Sequence, residues 1–559
     1  MKVFIFLFVI ALSVANILAD CLVNTTLGRV TGGEIIIESG EEVKFFCGIP
    51  YAEPPIGPLR FQDPIPKKPW KGVFDADKEP CQCKQIINGA IIGSEDCLYV
   101  NVYVSKLKED SKKLLPVLVY IPDHGSNCSM VMSGPQKLLH NRHSVYVCIS
   151  YRLGVFGFLS TGDESAPGNF GLKDQLLALK WVQENIVYFH GDRNDVTIFG
   201  QGSGGESVHL QSISYQTKKE FKRLICLSGI AFCPRAFTDD KSYYEKPKHL
   251  GKRLKCPLKN SKELIACLRK VDVNILIKES FEVFNEIDIA TATTWRPTKE
   301  PNGPGAFLND TPANIVKHHR RPIHPIIVSH VKDEGTFFTK NLLKNEKLYE
   351  LCITRPVEVI EMILRQYPPL NGKNVRELAI KAKDYYLGSV LPKEKAIVIE
   401  RYTNLMSDFC YNVQIIHFLR HLRKIHSVYV SRYSYRGTIT ATESFQGSLH
   451  ATGVGQGSDL FSIFPMPPSI LGPQYSNLKP SKNDELISDI YIDLGVSFAY
   501  NSTPVSGDLK DPHMWKPQNN HSEVYLEIGD GRSPKVTVGT KYSCSVDFWF
   551  DNLPLFSLD

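Results

Sequence analysis

The sequence lacks any Ser/Gly-rich linker, internal repeat or low-complexity tract that would divide its 559 residues. Length alone suggests several domains, but α/β proteins of this size often fold as one unit. With 43% apolar and 10% aromatic residues, the chain can bury a large core. Length and composition therefore fit one large domain as well as several.

Clusters of basic residues are also missing. The net charge of +6 arises from 65 basic and 59 acidic residues that are spread along the chain. Nucleic-acid binding proteins usually concentrate lysine and arginine in one stripe or patch. We expect no nucleic-acid partner, and we expect neither a cofactor nor a metal ion.

Long apolar runs are absent except at the N-terminus. Residues 1–20 carry one lysine and then an apolar run that ends in small residues, which is typical of a signal peptide cleaved after Ala15 or Ala19. The alternative, a membrane anchor, needs roughly 20 apolar residues, and this run is at the short end of that range. The C-terminus lacks the spacer and apolar tail of a lipid-anchor signal. We predict a signal peptide over residues 1–19, no membrane span and a secreted, extracellular protein.

Cysteine, in contrast, is abundant, with 14 residues. In a secreted chain this number indicates several disulfides, although composition does not give their pairing. The chain also carries N-x-S/T sequons, which predict surface glycosylation in a secreted protein. The predicted acceptors are Asn24, Asn127, Asn309, Asn501 and Asn520.

Strand and helix patterns alternate through the N-terminal half. The runs LPVLVYIP and VYVCISYRLG are typical of buried strands, and apolar residues in NFGLKDQLLALKWVQENI recur at helical spacing. A strand, DVTIFG, then leads through a Gly-rich turn into the helix SVHLQSIS. This order predicts an α/β fold with a large, mostly parallel sheet flanked by helices. Function is expected at the carboxyl ends of the strands, at the turn after DVTIFG.

Several blocks in the same order resemble the type-B carboxylesterase and cholinesterase family. They are FCGIPYAEPPIGPLRF, SEDCLYVNVYV, ISYRLGVFGFLSTGDESAPGNFGLKDQLLALKWVQENI and DVTIFGQGSGGESVHLQSIS, followed by the weaker KDEGTFF, GVGQGSDLF and CSVDFWFDNLP. The resemblance implies a single α/β-hydrolase domain over residues 20–559. It also implies ion pairs of Arg60 with Glu95 and of Arg152 with Asp174.

The resemblance further implies three disulfides. They are Cys83 with Cys97, Cys256 with Cys267, and Cys410 with Cys544. Cys81 remains an alternative partner for Cys97. Cys47, Cys148 and Cys226 lie in strand-like apolar runs, where a small buried thiol is the expected state.

The family nucleophile is the serine of a G-x-S-x-G turn between a strand and a helix. In Gly200-Gln201-Gly202-Ser203-Gly204 that position is Gly202, which has no side chain to attack a substrate. Ser203 is an alternative nucleophile. If Ser203 were the nucleophile, its side chain would point in a different direction from that of the family serine. The residue whose backbone N–H should face the oxyanion would also be lost, so we interpret Ser203 as a structural small residue.

The family histidine falls at Gln456, and an amide cannot exchange a proton near neutral pH. His450, the nearest imidazole, is interpreted as structural. The family acid is kept as Glu334, but it has no imidazole to orient. We predict that Glu334 accepts a hydrogen bond from the Gln456 amide.

The family oxyanion loop, H-G-G-G, is replaced by Pro122-Asp123-His124-Gly125. Losing one oxyanion donor typically slows an enzyme about 100- to 1000-fold, and Asp123 adds negative charge near the developing anion. With Ser203 in the third donor position, His124 and Gly125 complete the altered hole. A glycan on Asn127 is expected to cover the mouth of the site.

Together these changes predict a catalytically inactive member of the family that acts by binding an extracellular protein partner, as cholinesterase-like adhesion proteins do. Two alternatives remain open. One is a carrier of an apolar small molecule, and the other is a carboxylic ester hydrolase with an unorthodox site.

Overall fold

The apolar runs predicted as buried strands lie at the centre of the sheet. Leu115–Ile121 and Val145–Ile149 are buried at every residue and pair in parallel. Since helices cover both faces of this sheet, neither strand needs an alternation of apolar and polar residues. The strand prediction is confirmed at both runs.

The computed structural model describes residues 21–37, 39–87, 89–106, 113–123, 133–140, 142–217, 219–318, 324–367, 370, 374–421, 427–439, 441, 453–465, 478–518, 524–539 and 544–553. The predicted signal peptide lies outside these residues. Its prediction therefore rests on the sequence.

The strands and helices are numbered in chain order. The strands are β1 (Leu22–Thr25), β2 (Gly28–Thr31), β3 (Gly33–Ile36), β4 (Glu42–Pro50), β5 (Val73–Asp75), β6 (Gln85–Ile87), β7 (Ala90–Ile92), β8 (Tyr99–Ser105), β9 (Leu115–Ile121), β10 (Val145–Ile149), β11 (Gly191–Gln201), β12 (Arg223–Leu227), β13 (Ile326–Val331), β14 (Val428–Tyr435), β15 (Tyr525–Gly531) and β16 (Ser533–Gly539). The helices are α1 (Gly154–Phe158), α2 (Phe170–Asn185), α3 (Ser203–Ile213), α4 (Lys246–Arg253), α5 (Ser261–Leu268), α6 (Val273–Phe281), α7 (Glu286–Ala290), α8 (Pro312–His318), α9 (Thr336–Lys344), α10 (Glu346–Thr354), α11 (Pro356–Leu364), α12 (Val375–Leu387), α13 (Lys395–Ser407), α14 (Val413–His421), α15 (Leu460–Ile463), α16 (Lys482–Asn501) and α17 (Cys544–Asn552).

Across the described residues, eleven strands form one mixed sheet in the order β16-β15-β14-β13-β12-β11-β9-β10-β8-β4-β3. Its centre, from β15 to β10, is parallel. The edge strands β16, β8, β4 and β3 pair antiparallel with their neighbours. This is the mostly parallel α/β sheet that the sequence predicts, with the carboxyl ends of β9, β11 and β13 along one edge.

The sheet separates two hydrophobic cores. Along β9, Val117 and Val119 belong to the core that includes α2 and α3, whereas Leu118 and Tyr120 belong to the core that includes α16. Successive side chains of a strand point to opposite faces, so one strand supplies both cores. Helix α3, which begins at the predicted site, is therefore held against a rigid buried sheet.

Both predicted ion pairs brace the N-terminal half. Arg152 donates from Nε and Nη2 to the two carboxylate oxygens of Asp174 at 2.8 and 2.7 Å, and both side chains are almost fully buried. Arg60 donates in the same bidentate way to Glu95 at 2.7 and 2.6 Å. Removing one partner of such a pair typically costs about 3–5 kcal/mol, because it leaves a buried charge uncompensated.

Two of the three predicted disulfides are confirmed. Cys83 bonds to Cys97, which settles the choice between Cys83 and Cys81, and Cys256 bonds to Cys267. Cys81 is an exposed free thiol. Closing these loops is expected to stabilise the fold mainly by restricting the unfolded chain.

Two cysteine predictions are wrong. Cys148 is disulfide-bonded rather than a thiol. Cys410 is a free buried thiol, which contradicts the predicted bridge to Cys544. Cys410 lies in the π-helical turn Asp408–Asn412. Burial raises the pKa of its thiol, and the nearby charge of Arg235 partly opposes this rise. Its sulfur is therefore part of the interior next to the predicted site. Cys47 and Cys226 are buried thiols, as predicted.

Within the described residues, no helix is both long enough and apolar enough to cross a membrane.

Candidate functional site

The turn between β11 and α3 keeps the geometry of a nucleophile elbow. Gly202 has φ 61° and ψ −125°, a backbone conformation that favours glycine, and its N–H donates to the Leu227 carbonyl at 2.8 Å. A non-glycine residue in this region carries about 1–3 kcal/mol of strain. Close packing constrains the next turn, because a Cβ on Gly204 would lie 2.1 Å from the Ile121 carbonyl oxygen. The turn is thus a tight joint between β9, β11 and α3.

Asp123 occupies the space in front of this turn. Its Oδ1 accepts the Ser203 backbone N–H at 3.0 Å and a short hydrogen bond from the Ser203 hydroxyl. A Cβ placed on Gly202 would lie 2.5 Å from Asp123 Oδ2. The carboxylate therefore takes the volume that a side chain at position 202 would need, and it binds the N–H of the following residue.

The Asp123 carboxylate also lies at the N-terminus of α3. The first N–H groups of a helix have no partner within the helix, and the helix dipole favours negative charge there. A carboxylate that accepts such an N–H typically stabilises a helix by about 1 kcal/mol. Asp123 thus acts as a fixed internal anion at a natural anion site.

Gln456 lies in the same region but does not form the predicted hydrogen bond with Glu334. Its Nε2 donates to the Tyr411 hydroxyl at 2.8 Å and to the Ser228 carbonyl at 3.3 Å. Its Oε1 faces Arg235 Nη1 at 3.5 Å. The prediction of a Gln456–Glu334 hydrogen bond is wrong, because Tyr411, Ser228 and Arg235 use the amide instead.

Glu334 is completely buried at the end of β13. Its Oε1 accepts the Val331 N–H at 2.9 Å, and the Ser228 side chain also interacts with the carboxyl group. Burial raises the pKa of Glu334 to about 8. The carboxyl group is therefore protonated near neutral pH, and it carries no charge that could orient a base.

A buried ion pair, Arg235 with Glu206, stands beside Gln456. Arg235 Nε donates to Glu206 Oε1 at 2.5 Å, and the two side chains are only 10% and 5% exposed. The guanidinium carbon lies 5.6 Å from the centre of the Phe337 ring and 5.7 Å from that of Tyr411. Burial raises the pKa of Glu206 to about 7, opposed by the charge of Arg235. A permanent cation thus lies next to the position predicted for the catalytic base.

Other predicted site residues are only partly covered. His124, Gly125 and Asn127 lie outside the described residues, as do His450 and Asn520. Asn24 in β1, Asn309 and Asn501 are all exposed. In the described part of the chain, no group of three or more His, Cys, Asp or Glu side chains is placed to hold a metal ion.

Comparison with known proteins identifies the scaffold. A family described as "Carboxylesterase family" matches residues 19–549. The chain belongs to the carboxylesterase family. It is 33% identical to venom carboxylesterase-6 of Apis mellifera over 94% of this chain and 93% of that protein. It is 34% identical to esterase E4 of Myzus persicae, covering 87% and 89%, and 32% identical to juvenile hormone esterase of Tribolium castaneum, covering 91% and 88%.

Membership in the carboxylesterase family confirms the resemblance and the α/β-hydrolase fold. In such a fold the residue after the nucleophile donates its backbone N–H to the oxyanion. With Gly202 in the nucleophile position, that donor is the Ser203 N–H, which is bound to Asp123. The backbone turn of the carboxylesterase family is therefore kept, but the N–H that would stabilise the oxyanion is hydrogen-bonded to the Asp123 carboxylate.

The Ser203 hydroxyl has a neighbouring base, but its surroundings oppose acyl transfer. Its hydrogen-bond acceptor is the same Asp123 oxygen that accepts the Ser203 N–H. If Asp123 remained in place to take the proton, the N–H would not be available to the oxyanion. Ser203 and Asp123 therefore cannot serve as nucleophile and base while this N–H stabilises the intermediate.

Arg235 and Glu206 are site residues that the sequence motifs did not predict. Each stands in an otherwise apolar or small-residue stretch, SGIAFCPRAF and GSGGESV. Charged side chains are seldom buried without a partner, so two isolated opposite charges in strand- or helix-like core segments are a usable signal. Their pairing with each other could not be read from sequence positions 29 residues apart.

Proposed function

We propose that this chain is a secreted, non-hydrolysing member of the carboxylesterase family whose residues 20–559 act as one domain that binds an extracellular protein partner. The observation that carries the proposal is the Asp123 carboxylate, which accepts the Ser203 N–H and fills the space next to Gly202. A substrate carbonyl would have to occupy that same space.

Catalysis of ester hydrolysis requires donors that are free to meet negative charge as it develops on the substrate oxygen. Here one such donor faces a carboxylate, so a developing oxyanion would be repelled as well as unsupported. Gly202 supplies no nucleophile, and Gln456 supplies no base. Since these groups act as a unit in an active enzyme, the loss of any one removes most of the rate.

The remainder of the scaffold supports a role for the folded body itself. Both buried ion pairs and two disulfides of the N-terminal half are formed. The exposed sequons Asn309 and Asn501 and the signal-like residues 1–19 support secretion. A stable, secreted domain whose former active site is filled by its own Asp123 side chain is suited to binding through its outer surface.

The apolar cavity on the far face of the sheet gives little support to a carrier of an apolar ligand. An apolar cavity of about 50 Å³ lies on the far face of the sheet, lined by residues that include Phe199, Tyr491 and Trp515. Ligand pockets usually measure roughly 300–1,000 Å³. This cavity does not favour a small-molecule carrier.

Hydrolysis is the second candidate, because the relatives are named as esterases and Ser203 is hydrogen-bonded to a carboxylate. The test is reaction of the purified secreted protein with a fluorophosphonate probe and with a p-nitrophenyl ester. An active carboxylesterase serves as positive control, and Ser203→Ala serves as the matched variant. We expect no labelling and no difference in turnover between the two forms.

Binding is tested with fluorescently labelled protein on cell surfaces and extracellular matrix, with excess unlabelled protein as competitor. Saturable, competed binding supports the proposal. Labelling that disappears in Ser203→Ala would establish the hydrolase instead.

A further inference from the structure

A surface cleft of about 390 Å³ lies away from the candidate site, between the end of α3 and the start of α8. Three chain segments line it, through Tyr215, through Lys299 and Asn302, and through Asn309–His318. Its volume is within the range of pockets that hold small ligands. The cleft is therefore large enough for a sugar ring.

The walls of this cleft are tied together. Ser214 Oγ donates to the Phe307 carbonyl at 2.7 Å, and Gln216 Nε2 donates to the Pro304 carbonyl at 2.5 Å. The Tyr244 hydroxyl donates to the Lys299 carbonyl at 3.0 Å. The first two bonds join the end of α3 to the segment that precedes α8, and the third fixes Lys299 to the turn before α4, so the cleft is preformed.

The composition of the lining suits a carbohydrate. Tyr215 is 44% exposed and offers an aromatic face, and the buried Ile315 also belongs to the lining. Asn302 and Asn314 supply amides, each able to donate and accept hydrogen bonds. An aromatic face with amides around it matches the apolar C–H face and polar hydroxyls of a pyranose.

Asn309 is itself one of the lining residues, and it begins the sequon Asn309-Asp310-Thr311. We propose that this cleft holds the innermost N-acetylglucosamine of a glycan attached to Asn309. The inference rests on the secretion part of the proposed function, and it is independent of whether the protein hydrolyses esters.

Attachment precedes folding and follows the general chemistry of N-glycosylation. The side-chain amide nitrogen of Asn309 forms a bond to C1 of the sugar, whose bond to a lipid-linked pyrophosphate breaks. The amide loses one proton, and the lipid pyrophosphate leaves with the electron pair of the broken bond. When the chain folds, Asn309 carries the first sugar to the cleft, where Tyr215 and the amides contact it.

The experiment uses full-length secreted protein with high-mannose glycans. Endoglycosidase H leaves one N-acetylglucosamine on each sequon, whereas Asn309→Asp carries none at this site. Hydrogen–deuterium exchange over residues 210–217 and 299–318 reports the order of the cleft. We expect the endoglycosidase-treated protein to keep the slow exchange of the intact glycoprotein and Asn309→Asp to lose it. Asn501→Asp, at the exposed end of α16, should leave these segments unchanged.

Tyr215→Ala keeps the acceptor but removes the aromatic face. In this background we expect endoglycosidase-treated protein and Asn309→Asp to exchange equally fast. The inference is overturned if endoglycosidase-treated protein and Asn309→Asp exchange equally fast while Tyr215 is intact. It is also overturned if glycopeptide mass spectrometry shows that Asn309 is unmodified. If every sequon is unmodified, the secretion proposal fails with it, whereas glycans on the other sequons alone overturn only the role of the cleft.

Discussion

The carboxylate of Asp123 lies 3.0 Å from the backbone nitrogen of Ser203, which follows it by 80 residues in the chain. This contact joins the end of β9 to the start of α3. It stabilises the helix and places a negative charge where an esterase would stabilise one on its substrate. One side chain is thus a structural cap and, under the proposed function, also the group that obstructs catalysis.

Replacing Asp123 with alanine should destabilise the fold. The Ser203 N–H would lose its acceptor and α3 its N-terminal anion, so we expect a loss of about 1–2 kcal/mol in the free energy of unfolding, measured by urea denaturation. Asp240→Ala is the matched control, because Asp240 binds the N–H and hydroxyl of Ser242 in an exposed turn. An equal effect of the two variants would contradict a special role for the Asp123 contact.

Restoring the family residues one by one should not restore an esterase. Gly202→Ser would place its Cβ 2.5 Å from the Asp123 carboxylate and would add about 1–3 kcal/mol of backbone strain. We therefore expect the double variant Gly202→Ser, Gln456→His to hydrolyse p-nitrophenyl esters no faster than the native protein. Adding Asp123→Gly should give the first fluorophosphonate labelling of Ser at position 202. Ordinary esterase rates in the double variant would refute the obstruction by Asp123.

Removing Arg235 should be costly because it leaves Glu206 buried without a partner. For Arg235→Met we expect a loss of about 3–5 kcal/mol in unfolding free energy, and a smaller loss when Glu206→Gln is added. Arg355→Met is the control, since Arg355 pairs with Glu358 at the surface and such pairs contribute at most about 1 kcal/mol. If Arg235→Met and Arg355→Met cost the same, the buried pair contributes no more than a surface pair.

Glu334 should make stability fall as pH rises. Its folded pKa, about 8, is above that of an ordinary glutamate, so between the two values the folded state keeps a proton that the unfolded state has lost. This contribution favours folding at low pH and is lost progressively up to about pH 8. Glu334→Gln keeps the shape without the ionisation, so its stability relative to the native protein should rise between pH 5 and pH 9. We expect a relative gain of at least about 1.4 kcal/mol, the equivalent of one pH unit. A relative stability independent of pH would contradict the raised pKa.

The sequence predicts the scaffold well because the signals involved are local. The runs around β9 and β10 are apolar throughout, and the glycines of the elbow are required by a backbone angle at Gly202 and by close packing at Gly204. Such constraints act within a few residues of the chain. They are therefore visible before any tertiary contact is known.

The partners of the buried polar groups could not be predicted in the same way. Gln456 was expected to bind Glu334, but it contacts Tyr411 and Arg235, which come from distant parts of the chain. Cys148 was expected to be a thiol because its strand is apolar, yet burial suits a disulfide as well as a thiol. In both cases the residue type limits the bonds that are available, and only the packing decides which bond is made.

The glycine at position 202 has a consequence for how this protein can change over time. A single reversion to serine would meet the Asp123 carboxylate before it met any substrate, and removing Asp123 alone would weaken α3 without creating a nucleophile. Either of these first steps towards an esterase is therefore expected to be harmful by itself. Under the proposed function, hydrolysis cannot be regained by one of these substitutions alone, whereas the outer surface can change without disturbing the contact between Asp123 and Ser203.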